Sequence, residues 1–251
     1  MKLKLVQNNF YFVGSFSNIY KKPSKKSEVT SQLIYGEKFK ILSKNKKWIK
    51  IKTLFDNYIG FMKNSKYLEK FSPKYKVSSL KARIFRRPGI RTDSWLPFSS
   101  KLSILDQNKN YVKIEKNKWV KKIDIKKLNH TDKNFVKIFK KFLNVKYVWG
   151  GKTFKGIDCS ALLQIFFNYN NLFYPRDTKD QIKYAKKNLK KKKFKKGDII
   201  FWKGHVGICL NSKQLIHAYG PEKKVIIMPI AKTIDRIERT AKLKIKKISE
   251  I

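Results

Sequence analysis

Gly156-Ile-Asp-Cys-Ser-Ala-Leu-Leu-Gln-Ile-Phe-Phe-Asn-Tyr169 is the stretch on which the fold of this chain turns. Leu162, Leu163, Ile165, Phe166 and Tyr169 cover most of the circumference of a helix, which predicts a buried helix beginning near Asp158. Asp158 is of the type that caps such a start, and Gly150, Gly151 and Gly156 precede it. Cys159 then stands at a helix N-terminus, where unpaired N–H groups and positive partial charge stabilise a thiolate and leave donors for an oxyanion. The Asp158 carboxylate opposes that thiolate, so a neighbouring imidazolium must assist. Taken alone, Cys159 also fits an ordinary buried thiol.

Two of the three histidines follow downstream, His205 just before the strand predicted at 206–210 and His217 within the adjacent one at 214–219. A cysteine–histidine pair oriented by a third polar group is the general design for acyl transfer through sulfur. Side chains alternate along a strand, so residues opposite one another share a face. A three-residue loop, Asn211-Ser212-Lys213, pairs Leu210 with Gln214 and His217 with Gly207, making His205 and His217 diagonal neighbours on one face. A two-residue loop would separate them. Cys159, Cys209, His205 and His217 contain no close C-x-x-C or H-x-x-x-H pair to anchor zinc, so no metal and no cofactor is expected, and Cys209 reads as a buried thiol.

Further strands are predicted at 199–202, 225–230 and 243–248. Upstream, Phe135, Ile138, Phe139 and Phe142 mark one face of a helix capped by Thr131 or Asp132. Another helix begins at Thr178, where Thr178-x-x-Gln181 reads as a capping box after the extended Pro175-Arg176. Helices followed by consecutive strands give an α+β domain with an antiparallel sheet over residues 131–251.

The first half of the chain repeats itself. Leu33, Lys38, Ile41, Leu42, Asn45, Lys50 and Ile51 recur as Leu96, Lys101, Ile104, Leu105, Asn108, Lys113 and Ile114, with Phe39/Leu102, Trp48/Tyr111 and Ile49/Val112 at the same offset. Ile19-Tyr-Lys-Lys-Pro23 echoes Ile84-Phe-Arg-Arg-Pro88. The period-2 stretches indicate short strands, hence two small β-barrels over residues 1–72 and 73–130, the second degenerate.

A net charge of +44 invites a nucleic-acid reading, but 54 of the 61 basic residues are Lys, whereas phosphate and base recognition favours the Arg fork. No specific nucleic-acid partner is expected, and lysine abundance with many Asn, Ile and Phe fits an AT-rich genome. An anionic partner is the other reading of the charge. Lys190 to Lys193 reads as a solvated linker. The longest apolar stretch, Val225 to Ala231, is too short to span a bilayer, so no transmembrane segment is expected. Lys2 and Lys4 resemble the start of an export signal, but Gln7, Asn8 and Asn9 interrupt its apolar core. With only two cysteines, the expected location is cytoplasmic, with a periplasmic alternative.

Ile19 to Pro23, Leu33 to Gly36, Trp48 and Gly60-Phe61 resemble the motifs of bacterial SH3-like domains; the second copy departs, with Ser99 at the turn glycine and Lys118-Trp119 at the last strand. In that family such barrels bind cell wall or shape a substrate cleft; the alternative is that they merely pad the fold. Tyr147-Val-Trp-Gly-Gly151, Gly156-Ile-Asp-Cys-Ser160, Gly197-Asp-Ile-Ile-Phe201, His205-Val-Gly-Ile208 and Ile216-His-Ala218 resemble the successive motifs of the NlpC-type papain-like cysteine peptidases. The resemblance implies a papain-like C-terminal domain with nucleophile Cys159, base His205, orienting His217 and an oxyanion site of Tyr147 and the Cys159 N–H. It also implies that Asp158 and Ser160 hold the substrate's free amino terminus, commonly L-alanine in members with SH3-like domains. Arg176 is expected either to bind a substrate carboxylate or to pair with Asp177, a residue at which the chain departs from the family pattern. The implied activity is hydrolysis of γ-D-glutamyl-diamino acid bonds in peptidoglycan stem peptides through an acyl-enzyme, in murein peptide recycling. The alternatives are a non-catalytic module that binds cell wall or an anionic polymer, and an amidase or acyltransferase on the same fold.

Overall fold

The computed structural model describes residues 9–186, 188 and 193–251, and in it the chain divides into two compact units, Met1–His130 and Thr131–Ile251. The stretch at Met1–Asn8 and Lys190–Lys192, on which the export-signal and linker readings fall, lies outside the described residues. No helix among the described residues is long and apolar enough to cross a membrane.

The first unit is built from short antiparallel strands around two cores. Val29–Ile34, Phe16–Tyr20, Ile59–Lys63, Trp48–Thr53, Lys38–Lys44, Asn9–Phe12 and Tyr67–Leu68 follow one another in the first sheet. Ile19, Leu33, Phe39, Ile49, Ile51 and Met62 fill its interior. The second copy forms a five-stranded sheet, Ile90–Pro97, Lys81–Arg87, Lys118–Lys121, Tyr111–Glu115 and Asp106–Gln107, beside a three-stranded one of Lys101–Leu102, Tyr75–Val77 and Ile125–Lys127. The repeat partners Ile84, Leu96, Leu102, Val112 and Ile114 fill its core, so the internal repeat is a repeat of buried positions. Gly36 has φ +77° and Ser99 φ +68°. The second copy therefore keeps the left-handed turn after losing the glycine that makes it inexpensive.

The second unit places helices on a five-stranded sheet. Its strand order is Lys224–Pro229, Gln214–Tyr219, His205–Cys209, Asp198–Trp202 and Lys247–Glu250, every neighbouring pair antiparallel. Helix α1 (Phe135–Lys140) packs on α2 (Cys159–Tyr169), and α2 lies against the two strands that carry the histidines. Helix α3 (Thr178–Tyr184) follows, and α4 (Ile230–Ala241) packs against Lys224–Pro229.

Four sequence expectations are corrected. The cap of α1 is Asn134, whose side chain accepts from the Lys137 N–H, rather than Thr131 or Asp132. Asp132 is held instead by Asn170 at the end of α2, which donates to its carbonyl and accepts from its N–H. The cap position of α3 is Asp177, so Thr178 is already helical and no capping box forms; the Gln181 amide donates to the carbonyls of Ser160 and Pro175. The strand predicted at 225–230 ends at Pro229, and Ile230 opens α4, a helix absent from the sequence reading. Ile230, Thr233 and Ile237 form its buried stripe. The strand predicted at 243–248 is Lys247–Glu250, with Leu243 and Ile245 packed instead on the core that α4 covers.

Candidate active site

Cys159 is the first residue of α2, and the Asp158 side chain caps that helix by accepting from the Ala161 N–H at 2.8 Å. As a first-turn residue, Cys159 has an N–H with no intrahelical acceptor, available to a ligand oxygen. The thiol is buried, 4% exposed, with its Sγ 3.9 Å from the Gly204 carbonyl. The Val206 N–H and the Thr178 hydroxyl are directed at the same sulfur. The sulfur thus sits against the residues on both sides of His205.

The hairpin carrying the histidines has the register that parity favours, Ile208 opposite Ile216 and Cys209 opposite Leu215, closed by the Leu210 N–H donating to the Gln214 carbonyl. His205 Nε2 and His217 Nδ1 consequently meet at 2.9 Å. His217 is fully buried, stacked on Tyr219 with ring centroids 4.5 Å apart, and its Nε2 lies 3.3 Å from Met228 Sδ.

That last contact assigns the tautomers along the chain. A thioether sulfur can only accept, so His217 Nε2 carries the proton and donates to Met228. His217 Nδ1 must then accept, and His205 Nε2–H donates to it. The proton-accepting lone pair of His205 is left on Nδ1, the nitrogen not engaged with His217. His217 and Met228 thereby orient the His205 ring, whose Nδ1 faces away from His217.

Burial favours the neutral forms of both reacting groups. The Cys159 thiol is pushed up to about 12, chiefly by burial and then by the Asp158 charge, with the Val206 N–H, the Thr178 hydroxyl and Arg176 pulling the other way. Burial pushes His205 down to about 4, and His217 is held well below the ordinary histidine range by burial, by His205 and by Arg236. At rest both groups therefore favour their neutral forms, thiol and imidazole. Tyr147 is fixed by its N–H to the Lys223 carbonyl at 2.8 Å and by a bridge to Ile157. Burial, then Cys159 and Asp158, raise its phenol, which stays protonated and able to donate.

Arg176 is engaged chiefly by a residue other than the expected Asp177. It is 2% exposed, and its two terminal nitrogens clamp the Asp158 carboxylate at 2.9 and 2.6 Å while one donates to Ser160 Oγ at 2.8 Å. Asp158 further accepts from the Gly150 N–H at 2.9 Å and the Ser160 hydroxyl at 3.1 Å. Asp177 feels the charge of Arg176 as well, but the two terminal nitrogens of the guanidinium close on Asp158, which neutralises the acid beside Cys159 and ties α2 to the glycine loop. Asp158 and Ser160 lie together in this network.

Residues 144–239 match the NlpC/P60 family, and residues 19–66 match the bacterial dipeptidyl-peptidase Sh3 domain. The second unit is an NlpC/P60 domain. A gamma-D-glutamyl-L-lysine dipeptidyl-peptidase of Bacillus subtilis is 25% identical over 232 residues, covering 82% of this chain and 77% of that protein. A "probable endopeptidase NlpC homolog" of Haemophilus influenzae is 33% identical over 90 residues, 35% of this chain and 49% of that protein. The crystal structure of an NlpC/P60 family protein from Bacillus cereus superposes with a TM-score of 0.81 at 17% identity, covering 96% of this chain and 99% of that one, a likeness of fold.

Within the NlpC/P60 domain, the sequence reading missed Thr178, Met228 and the positioning role of Arg176. Parity could have found Met228. His217 lies opposite Ile226 and Leu215 opposite Met228, so Met228 is a same-face diagonal neighbour of His217.

Proposed function

We propose that this chain is a cysteine endopeptidase that hydrolyses the bond between γ-D-glutamate and the diamino acid of peptidoglycan stem peptides. The reading rests on one observation: the thiol at the N-terminus of α2 lies against the carbonyl of Gly204, next in the chain to His205, whose ring is oriented by the His205–His217–Met228 chain. In this mechanism His205 Nδ1 takes the Cys159 proton as Sγ attacks the side-chain-linked carbonyl of D-glutamate. The Cys159 N–H and the Tyr147 hydroxyl donate to the oxyanion, worth several kcal/mol in sites of this kind, roughly 2.7–4 per donor. The imidazolium then protonates the departing amine, and neutral His205 activates the water that releases the acyl group. Asp158 and Ser160 receive the substrate's amino terminus, with Arg176 holding the carboxylate in place. The names of the relatives support the substrate class, and an anionic cell-wall polymer is a second ligand in this proposal.

Both thiols are free and buried, so their reduced state is compatible with either side of the membrane. Cell fractionation assigns the compartment and, with it, whether free stem peptides or intact sacculi are met.

The test is turnover of L-Ala-γ-D-Glu-diaminopimelate and of its L-lysine counterpart, with products identified by mass spectrometry. Cys159→Ala is expected to fold normally and release no diamino acid. Undiminished cleavage by that variant, or a transferred acyl group in place of a hydrolysed one, would overturn the assignment.

A further inference from the structure

The two halves of the internal repeat build the same surface feature twice. In the first, Asn45 Oδ1 accepts from the N–H groups of Lys47 and Trp48 at 2.9 and 2.8 Å, and the Asn64 N–H donates to the Lys47 carbonyl. In the second, Asn108 Oδ1 accepts from Asn110 and Tyr111 at 3.0 and 2.8 Å, and the Lys122 N–H donates to the Asn110 carbonyl. The aromatic residue after each turn pairs across the sheet with a lysine, Trp48 with Lys63 and Tyr111 with Lys121. An open cavity forms at each place, about 490 Å³ in the first copy and about 290 Å³ in the second.

The linings are cationic and carry one ring each. Lys25, Lys46, Lys47 and Lys63 surround Trp48. Lys109, Lys121 and Lys122 surround Tyr111, with Ile123 on the rim at 84% exposure. No acidic side chain lines either cavity, and among the described residues none of these lysines forms an ion pair. Asp124 feels the charge of Lys121 without lining the second cavity. Lys25 lies close enough to Lys63 to lower it, first through their side-chain contact, then through lost hydration and like charge. An anion bound between the two relieves that like-charge contact.

We propose that these two equivalent pockets bind a phosphodiester-linked sugar or polyol polymer of the cell wall, one repeat unit to each pocket. A single ring with surrounding ammonium groups suits an apolar sugar face flanked by phosphates. Continuous single-stranded nucleic acid calls for successive stacking platforms along one groove, with Arg prominent, and neither pocket contains an Arg. Two linked sites on one polymer gain avidity without new contacts. The choice of a wall polymer rests on the peptidase reading above and deepens it; the pockets lie in the first unit and take no part in the chemistry.

The experiment is co-sedimentation of the full chain, as the Cys159→Ala variant so that nothing is digested, with sacculi bearing a poly(glycerol phosphate) polymer. The same sacculi stripped of phosphodiester polymer and a single-stranded DNA oligonucleotide of matched charge are the other arms. Binding should be strong on the first, lost on stripping, weaker to DNA, and should fall linearly on a log–log plot against salt. Lys25→Glu/Lys63→Glu should weaken it about tenfold or more, and adding Lys121→Glu/Lys122→Glu should remove it, taking about 1.4 kcal/mol as a factor of ten. Lys232→Glu/Lys242→Glu makes the same charge change in the second unit and should cost less than about twofold, as expected for dispersed surface charge. Equal loss from that control, equal binding to stripped sacculi, or equal or tighter binding to DNA would overturn the proposal. Sedimentation requires no turnover, so failure of the peptidase assignment would be recorded separately in the stem-peptide assay.

Discussion

Met228 is the residue whose replacement tests the proton chain most directly, because it acts on catalysis only through the tautomer of His217. The two neutral tautomers differ by which group faces Met228 Sδ, 3.3 Å from His217 Nε2: an N–H that the sulfur accepts, or a lone pair that it repels. Taking that hydrogen bond as about 1 kcal/mol, the productive tautomer is held at roughly 85%. Met228→Leu removes the preference and leaves about 50%, so kcat should fall by no more than about twofold. Met228→Lys presents a donor only. It stabilises the Nε2 lone pair by about 1.5–3 kcal/mol, forces His205 Nδ1 to carry a proton, and should lower kcat by about 10- to 100-fold. Met228→Gln can still accept and should match the parent. Steady-state kinetics on the stem peptide should place these losses in kcat, with KM little changed, if Met228 acts through His217 as its contact indicates; nitrogen NMR of the two imidazoles would report the tautomers themselves. Leu and Lys variants of equal kcat, both folded, would refute the assignment of His205 Nδ1 as base.

Other perturbations follow from the same geometry. Arg176→Ala leaves the Asp158 carboxylate, 5% exposed, without a counter-charge, and should cost about 3–5 kcal/mol in urea denaturation, with Arg176→Lys recovering part; a loss below about 1 kcal/mol would mean that the acid finds water instead. His205, pushed down to about 4 from 6.5, binds its proton in the unfolded chain before the native one. Stability should therefore fall as pH drops from 6.5 towards 4, by up to about 1.4 kcal/mol per pH unit for that group, and fall less in His205→Gln; equal slopes would contradict the burial of the imidazole. Because the Cys159 thiol is pushed up to about 12, its alkylation by iodoacetamide should keep rising with pH, and a plateau near neutrality would reveal a preformed thiolate–imidazolium pair. Gly36→Ala would bring a Cβ to 2.1 Å from the Lys101 carbonyl oxygen at a φ of +77°, and should destabilise the full chain by about 2 kcal/mol or more; a neutral result would require that turn to refold.

The amino-acid sequence by itself determined what depends on local chemistry and on alternation. Asp158 caps α2 because its side chain and the orphan N–H of Ala161 are three residues apart. His205 and His217 meet because a three-residue turn and a period of two leave them no other face. The paired apolar positions of the repeat, such as Leu33 with Leu96 and Ile49 with Val112, are core in both copies for the same reason. Tertiary structure decided what depends on competition between distant partners. Arg176 has Asp177 beside it in the chain, but its two terminal nitrogens close on Asp158, a bidentate clamp in a dry interior that joins residues eighteen positions apart. Asp132 could cap α1, but its backbone is tied to Asn170 at the far end of α2 and its carboxylate accepts from the Asn134 N–H, so the cap passes to Asn134. Ile230, Ile234 and Ile237 recur at helical spacing, a signal in residues 230–241 that the sequence reading passed over; the tertiary structure adds the surface that Ile230 and Ile237 cover. The orientation of His205 hangs, through His217, on a methionine eleven positions beyond His217, joined to it only by the register of a strand pair.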